Sequence, residues 1–333
     1  MKNLLYLLIL ILFISCSPSQ EVVVIAHRGA SGYLPEHTLE AKAMAHAMNP
    51  HYIEQDIALT KDNRALVIHD HYLHTVSNVA QIYPKRKRKD GKYYVIDFTL
   101  KEIKKLKFFE RFKGKNKTAV FPKRFPVKSI SHFTASTLEE EIELIQGLNK
   151  SRGTNIGIYT ELKSPWFHTK EGKNIGKVVM KILNKYGYND KNSNCYVQCF
   201  DPNYLKYMKN TLKVKVKLVQ LIAHNSWNET PGIDYNKMLS KKGLKEISTY
   251  AVGVGPWIDL IVRDKKKGNY HISNFVLLAH KYKLKVHPYT FRADSLPSYA
   301  KDMETLLRIF IYDVGVDGVF TDFPDRAVKF LQK

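Results

Sequence analysis

Nine short apolar runs, most of them separated by stretches with helical patterning, constrain this chain more than any other feature. They lie at 22–27, 52–59, 65–69, 157–163, 195–200, 214–222, 250–255, 285–291 and 316–321. Thr38 opens a helix over LEAKAMAHAM. Thr137 and Glu140 form a capping box ahead of EEEIELIQGLNK, and GKNIGKVVMKILNKYG and SNFVLLAHKY carry the same periodicity. Strands alternating with helices predict a parallel sheet with helices outside it. Nine strands are one more than a (βα)8 barrel holds. Residues 60–64 explain the surplus, because they are too few for a parallel crossover and suit a hairpin with Asp62 and Asn63 at its tip. In that register 65–69 runs antiparallel to 52–60, and His69 falls opposite Asp56. Residues 71–150 carry no strong strand run and read as a long excursion, a lid or small subdomain over the mouth where barrel loops collect function. The expected fold is α/β: a barrel with a β-hairpin addition and a long insertion.

Several of these runs end in charge. His27-Arg28 follows VVVIA, Glu54-x-Asp56 lies in YIEQDIALT, His69 follows ALVI, and Glu161-x-Lys163 lies in GIYTELK. A strand alternates its faces, so each x places both charged groups of a pair on one side. Buried carboxylates are costly without a neutralising cation. Three of them beside two histidines, an arginine and a lysine suit a hard divalent metal holding an anion, with a phosphodiester as the expected anion.

The 333 residues and 44% hydrophobic content support a large core. Residues 1–16 show Lys2, an apolar stretch and then Ser15-Cys16-Ser17, the pattern of a signal peptide rather than a membrane span. This leader resembles a bacterial lipoprotein signal, with Phe13 where Leu is usual. The expected organisation is therefore a signal peptide over 1–15, a tether over 16–21 lipidated at Cys16, and a catalytic domain over 22–333 that includes the insertion 71–150. The expected location is the periplasmic face of a membrane or the cell surface. Cys195 and Cys199 share one predicted strand, about 13 Å apart, too far for a disulfide. The 53 Lys+Arg against 31 Asp+Glu give +22, which favours anionic partners. Lys85-Arg86-Lys87-Arg88-Lys89 looks like a nucleic-acid patch, but an exported chain excludes that reading and leaves a solvated basic surface.

HRGASGYLPEHTLEAKAMAHA (27–47), IEQDIALTKDNRALVIHDHYL (53–73), KDGKYYVIDFTLKEIKKLKF (89–108), TELKSP (160–165), QCFDP (198–202), HPYTFR (287–292) and DGVFTDFPD (317–325) occur in this order along the chain. Together they resemble a bacterial glycerophosphodiester phosphodiesterase of the periplasmic or lipoprotein kind. The resemblance implies a TIM-type barrel that hydrolyses glycerophosphocholine, glycerophosphoethanolamine and similar diesters to sn-glycerol 3-phosphate and an alcohol, using Ca2+ or, in other members, Mg2+. It implies His27 and His69 as the acid/base pair, Glu54, Asp56 and Glu161 as metal ligands, and Arg28 and Lys163 as phosphate contacts. Phe200 and Phe291 are expected to cover the glycerol carbons, with a hydroxyl contact from Tyr289 and support from His37. Cys199 stands where many relatives have Ser. The residues leave open which histidine is the acid, and whether glycerol's own hydroxyl or water attacks. Two other readings compete: phospholipase D- or C-like cleavage of intact lipids, and a surface lipoprotein that binds polyanions.

Overall fold

Eight parallel strands curl into a barrel in the computed structural model, which describes residues 22–114, 116–265 and 269–333. The expected signal peptide and the tether beginning at Cys16 lie outside the described residues. The sheet comprises β1 (Val23–Ala26), β2 (Tyr52–Leu59), β3 (Ala65–Val67), β4 (Gly157–Leu162), β5 (Cys195–Cys199), β6 (Lys217–Ile222), β7 (Gly253–Pro256), β8 (Lys285–Val286) and β9 (Gly318–Thr321). Their order is β8-β7-β6-β5-β4-β2-β1-β9, all parallel, with β3 added antiparallel to β2. All nine expected runs thus contain strand, and the ninth is the hairpin arm. β8 is cut short by Pro288, which has no N–H to give. Past it, Phe291 N–H bonds Phe320 O at 2.8 Å and Phe320 N–H bonds Pro288 O at 3.0 Å, which closes the barrel.

The hairpin register differs from expectation by one residue. Ile57 faces Val67, Ala58 faces Leu66 and Leu59 faces Ala65. Ile68, not His69, lies across from Asp56, donating its N–H to Asp56 O at 2.8 Å. The cause is a three-residue loop, Lys61–Asn63, in place of a two-residue one. Thr60 N–H bonds Arg64 O at 3.0 Å, and Asn63 closes the turn in the left-handed region at φ 57°. His69 consequently enters the site from beyond the end of β3.

Alternation along each strand separates two environments. Val24, Ile53, Ile57, Ile158, Val197, Leu218 and Val254 belong to the large core shared with the surrounding helices. Ile25, Tyr52, Tyr159, Val219 and Phe320 fill the lumen, where Tyr159 stacks on Tyr196 with ring centroids 4.8 Å apart. This aromatic floor lies below the charged layer.

Between β3 and the helix Leu138–Arg152 the excursion builds its own small core from Leu73, Val76, Val95, Phe98, Ile103 and Phe108 on Ala58 and Leu66. Leu138–Arg152, opened by the expected Thr137–Glu140 capping box, packs on the helix Leu39–Ala47 in the outer layer, so the excursion's structure ends ahead of it. Two of the five clustered basic residues turn inward. Arg86 pairs with Glu102 at 2.5 Å over the Phe98 ring, and Arg88 bonds both Asp97 and Glu171. Cys195 and Cys199 are buried free thiols.

Candidate active site

At the C-terminal ends of the strands the inward positions become charged. His27 leaves β1 tied by its N–H to Thr321 O (2.9 Å), and the chain then turns through Arg28 (φ 58°) and Gly29 (φ 88°). A Cβ at Gly29 would come within 2.9 Å of the Ala41 backbone, so only glycine fits this turn. The left-handed conformation at Arg28 aims its N–H at Glu54 Oε2 (2.8 Å), while Gln198 Nε2 donates to Glu54 Oε1 (2.8 Å). The β2–β4 register sets Asp56 directly beside Glu161.

One oxygen from each of Glu54, Asp56 and Glu161 lies within 4.8 Å of the others, and all three residues are buried. Burial, with Asp56 and Glu161 close by, pushes Glu54 well above the usual carboxylate range. Burial also lifts Glu161 to about 8, although Lys163 Nζ stands 2.7 Å away and opposes the rise. Asp56 goes the other way: burial would raise it, but His37, bonded through Nε2 at 2.7 Å, and Lys163 hold it well below its ordinary value. Asp56 Oδ1 is buried with no hydrogen-bond partner among the described residues. Three hard oxygen donors, one of them unsatisfied, fit a divalent cation.

His27 and His69 flank this cluster, each with a carboxylate behind it. His27 Nδ1 lies 2.5 Å from Asp322 Oδ1, and His69 Nδ1 lies 2.7 Å from Asp70 Oδ1. Burial outweighs these carboxylates and lowers His27 to about 4 and His69 to about 3. A neutral ring that donates from Nδ1 presents Nε2 as an acceptor. Arg28 Nη1 bonds Glu36 at 2.8 Å, and its Nε makes no hydrogen bond but stands 3.8 Å from Asp56 Oδ2.

These groups open into a cavity of about 380 Å³, walled further by Phe200, Leu221, Trp227, Trp257 and Tyr289. Phe200 lies on this wall, with Lys163 Nζ 5.6 Å from its ring centre. Phe291 does not: it is wholly buried and packs edge-on against Phe310, because its neighbours Thr290 and Arg292 take the cavity side. The Tyr289 hydroxyl is committed to Ile222 O at 3.1 Å, so only its ring faces the cavity. Cys199 is buried and donates weakly to Leu162 O, and burial raises its thiol. His37 stands behind Asp56, and His71 packs on Phe167 under the excursion.

Sequence reasoning missed Glu36, Asp70, Gln198, Asp322, Arg111 and Arg124. Asp70 and Asp322 were within reach, since one follows His69 directly and the other continues the inward face of β9. The arginines come from the excursion, where no periodicity marks them.

A model of the glycerophosphoryl diester phosphodiesterase family matches residues 27–326. The glycerophosphodiester phosphodiesterase of Haemophilus influenzae is 47% identical, over 93% of this chain and 90% of its own length. That of Treponema pallidum is 40% identical, over 95% and 93%. Among solved structures, an Oleispira antarctica phosphodiesterase in complex with the product sn-glycerol-3-phosphate superposes with a TM-score of 0.61 at 20% identity, covering 93% of this chain and 97% of that one.

Proposed function

Because the chain belongs to the glycerophosphoryl diester phosphodiesterase family and is an enzyme of that activity, we propose that it cleaves glycerophosphodiesters such as glycerophosphocholine and glycerophosphoethanolamine in a metal-dependent reaction giving sn-glycerol 3-phosphate and an alcohol. The observation that carries this reading is the acidic cluster set between two histidine–aspartate pairs in one cavity. Glu54, Asp56 and Glu161 would hold the ion; an all-oxygen donor set suits Ca2+, the first choice from the family resemblance, and Mg2+ alike. When bound, such an ion relieves charge on a non-bridging phosphoryl oxygen.

The protein's own groups supply the rest. Arg28 on the cavity wall and the Lys163 ammonium beside Glu161 would neutralise the phosphate. One of His27 and His69 takes the nucleophile's proton at Nε2, and the other, entering the step as an imidazolium once the substrate's anionic phosphate lies beside it, gives its Nε2 proton to the departing alkoxide. Asp322 and Asp70 hold the two rings in the required orientation. Phe200 and the Tyr289 ring cover the substrate carbons and exclude water. The product in the Oleispira antarctica complex supports the same product here.

The cavity volume suits a small diester better than a diacyl lipid. Sequence 1–16 supports export and anchoring through a lipidated Cys16, and Cys16→Ala would then release the protein from membranes. The deciding experiment measures glycerol 3-phosphate release from glycerophosphocholine with EDTA and with Ca2+ or Mg2+ restored. Activity that survives EDTA would overturn the metal assignment, and equal turnover of phosphatidylcholine would overturn the substrate assignment.

A further inference from the structure

Both reacting histidines lean on an aspartate through the same atom, and both aspartates are gripped from behind by an arginine of the excursion. Asp322 gives Oδ1 to His27, and its Oδ2 accepts from Arg124 Nη2 of the excursion at 2.6 Å and from Arg292 Nε of the barrel at 2.8 Å. Asp70 gives Oδ1 to His69 and Oδ2 to Arg111 Nη1 at 2.6 Å. Each guanidinium is also fixed by a second carboxylate. Arg124 forks onto Asp294 (2.8 and 3.1 Å) and also bonds Ser31 O (3.2 Å). Arg111 forks onto Glu36 (2.5 and 3.0 Å), the residue that holds Arg28. The two side chains are only 4% and 14% exposed. A planar fork bound on two sides fixes the angle of a carboxylate, which a point charge does not.

We propose that Arg111 and Arg124 are positioning residues, through which the excursion, and not the barrel alone, sets the orientation of both histidines. The proposal rests on the acid/base reading of His27 and His69 above. The competing explanation is that the arginines only pin the excursion down. Arg88 provides the control, because it pins the excursion to the barrel through Glu171 and touches neither pair.

The test compares Arg124→Gln, Arg124→Lys, Arg111→Gln and Arg88→Gln in the full chain, with kcat and KM for glycerophosphocholine at saturating Ca2+ and Ca2+ affinity by calorimetry. Arg124→Gln should lower kcat by about 10- to 100-fold with KM and Ca2+ affinity little changed, and added guanidinium ion should restore part of the loss. Arg124→Lys keeps the charge and should still lose kcat, which preserves the test if the glutamine variant fails to fold. Arg111→Gln should lower kcat similarly and also raise KM, because Glu36 and Arg28 are released. Asp322→Asn combined with Arg124→Gln should be no worse than Asp322→Asn alone. Losses that match Arg88→Gln, ignore guanidinium or add in the double variant would overturn the proposal. If His27→Ala and His69→Ala both keep full activity, the acid/base reading fails instead.

Discussion

Replacing Lys42 with methionine should destabilise the protein by an amount that grows with pH. Lys42 is wholly buried: its Nζ lies 3.2 Å from Glu141 Oε2 and 3.1 Å from His37 Nδ1, and it bonds Glu54 O. Removing one partner of a buried ion pair costs about 3–5 kcal/mol. Glu141 adds the pH dependence. Burial lifts it from 4.5 to about 7, against the lowering effect of Lys42. Between those values the native state keeps a proton that the unfolded chain has lost, so stability falls by about 1.4 kcal/mol per pH unit, roughly 3 kcal/mol in all, and levels off above 7. Without the ammonium, Glu141 holds its proton to higher pH and the decline continues. The penalty relative to wild type should therefore widen by up to about 1.4 kcal/mol for each unit above pH 7. Urea unfolding at pH 6, 7.5 and 9 reads this directly, and Lys42→Met with Glu141→Leu should recover most of the loss. A penalty flat across pH, or a double variant as weak as the single one, would refute the reasoning.

Asp322→Asn should lower kcat by about 10²- to 10⁴-fold with little change in KM, as expected when the group orienting a reacting imidazole is replaced; an unchanged kcat would remove Asp322 from the mechanism. Because burial lifts Glu161 to about 8 and raises Glu54 as well, Ca2+ binding at pH 6.5 should release at least one proton, and affinity should rise about tenfold or more per pH unit over that range. Calorimetry in buffers of different ionisation enthalpy tests this, and heats independent of buffer would count against the ligand assignment. Phe291→Ala should cost about 3–5 kcal/mol of stability and leave KM near wild type when measured below its melting point, whereas Phe200→Ala should raise KM with a smaller stability loss. The reverse pattern would exchange their places.

Most of the barrel was legible because its strands are short apolar runs between capped helices, and period two put Glu54 with Asp56 and Glu161 with Lys163 on one face of each strand, which the structure turns inward. The hairpin register was not, since a left-handed Asn63 made the loop one residue longer and shifted every pair. Phe291 misled for a related reason: beyond Pro288 the regular strand stops, so counting by twos no longer gives the inward side. The arginines behind the aspartates were invisible because they reach the site by tertiary folding of a segment with little regular structure. Glu36 and Lys42, though inside a quoted motif, carried no spacing that would mark burial.

His27 follows the first barrel strand and Asp322 the last, and the two strands lie side by side. The contact between these two residues therefore cannot form until the last barrel strand has been made and has docked beside the first. Any product truncated before residue 322 keeps most of the barrel sequence yet leaves His27 without its aspartate partner. Closure of the barrel and completion of this histidine–aspartate pair are thus one and the same folding event.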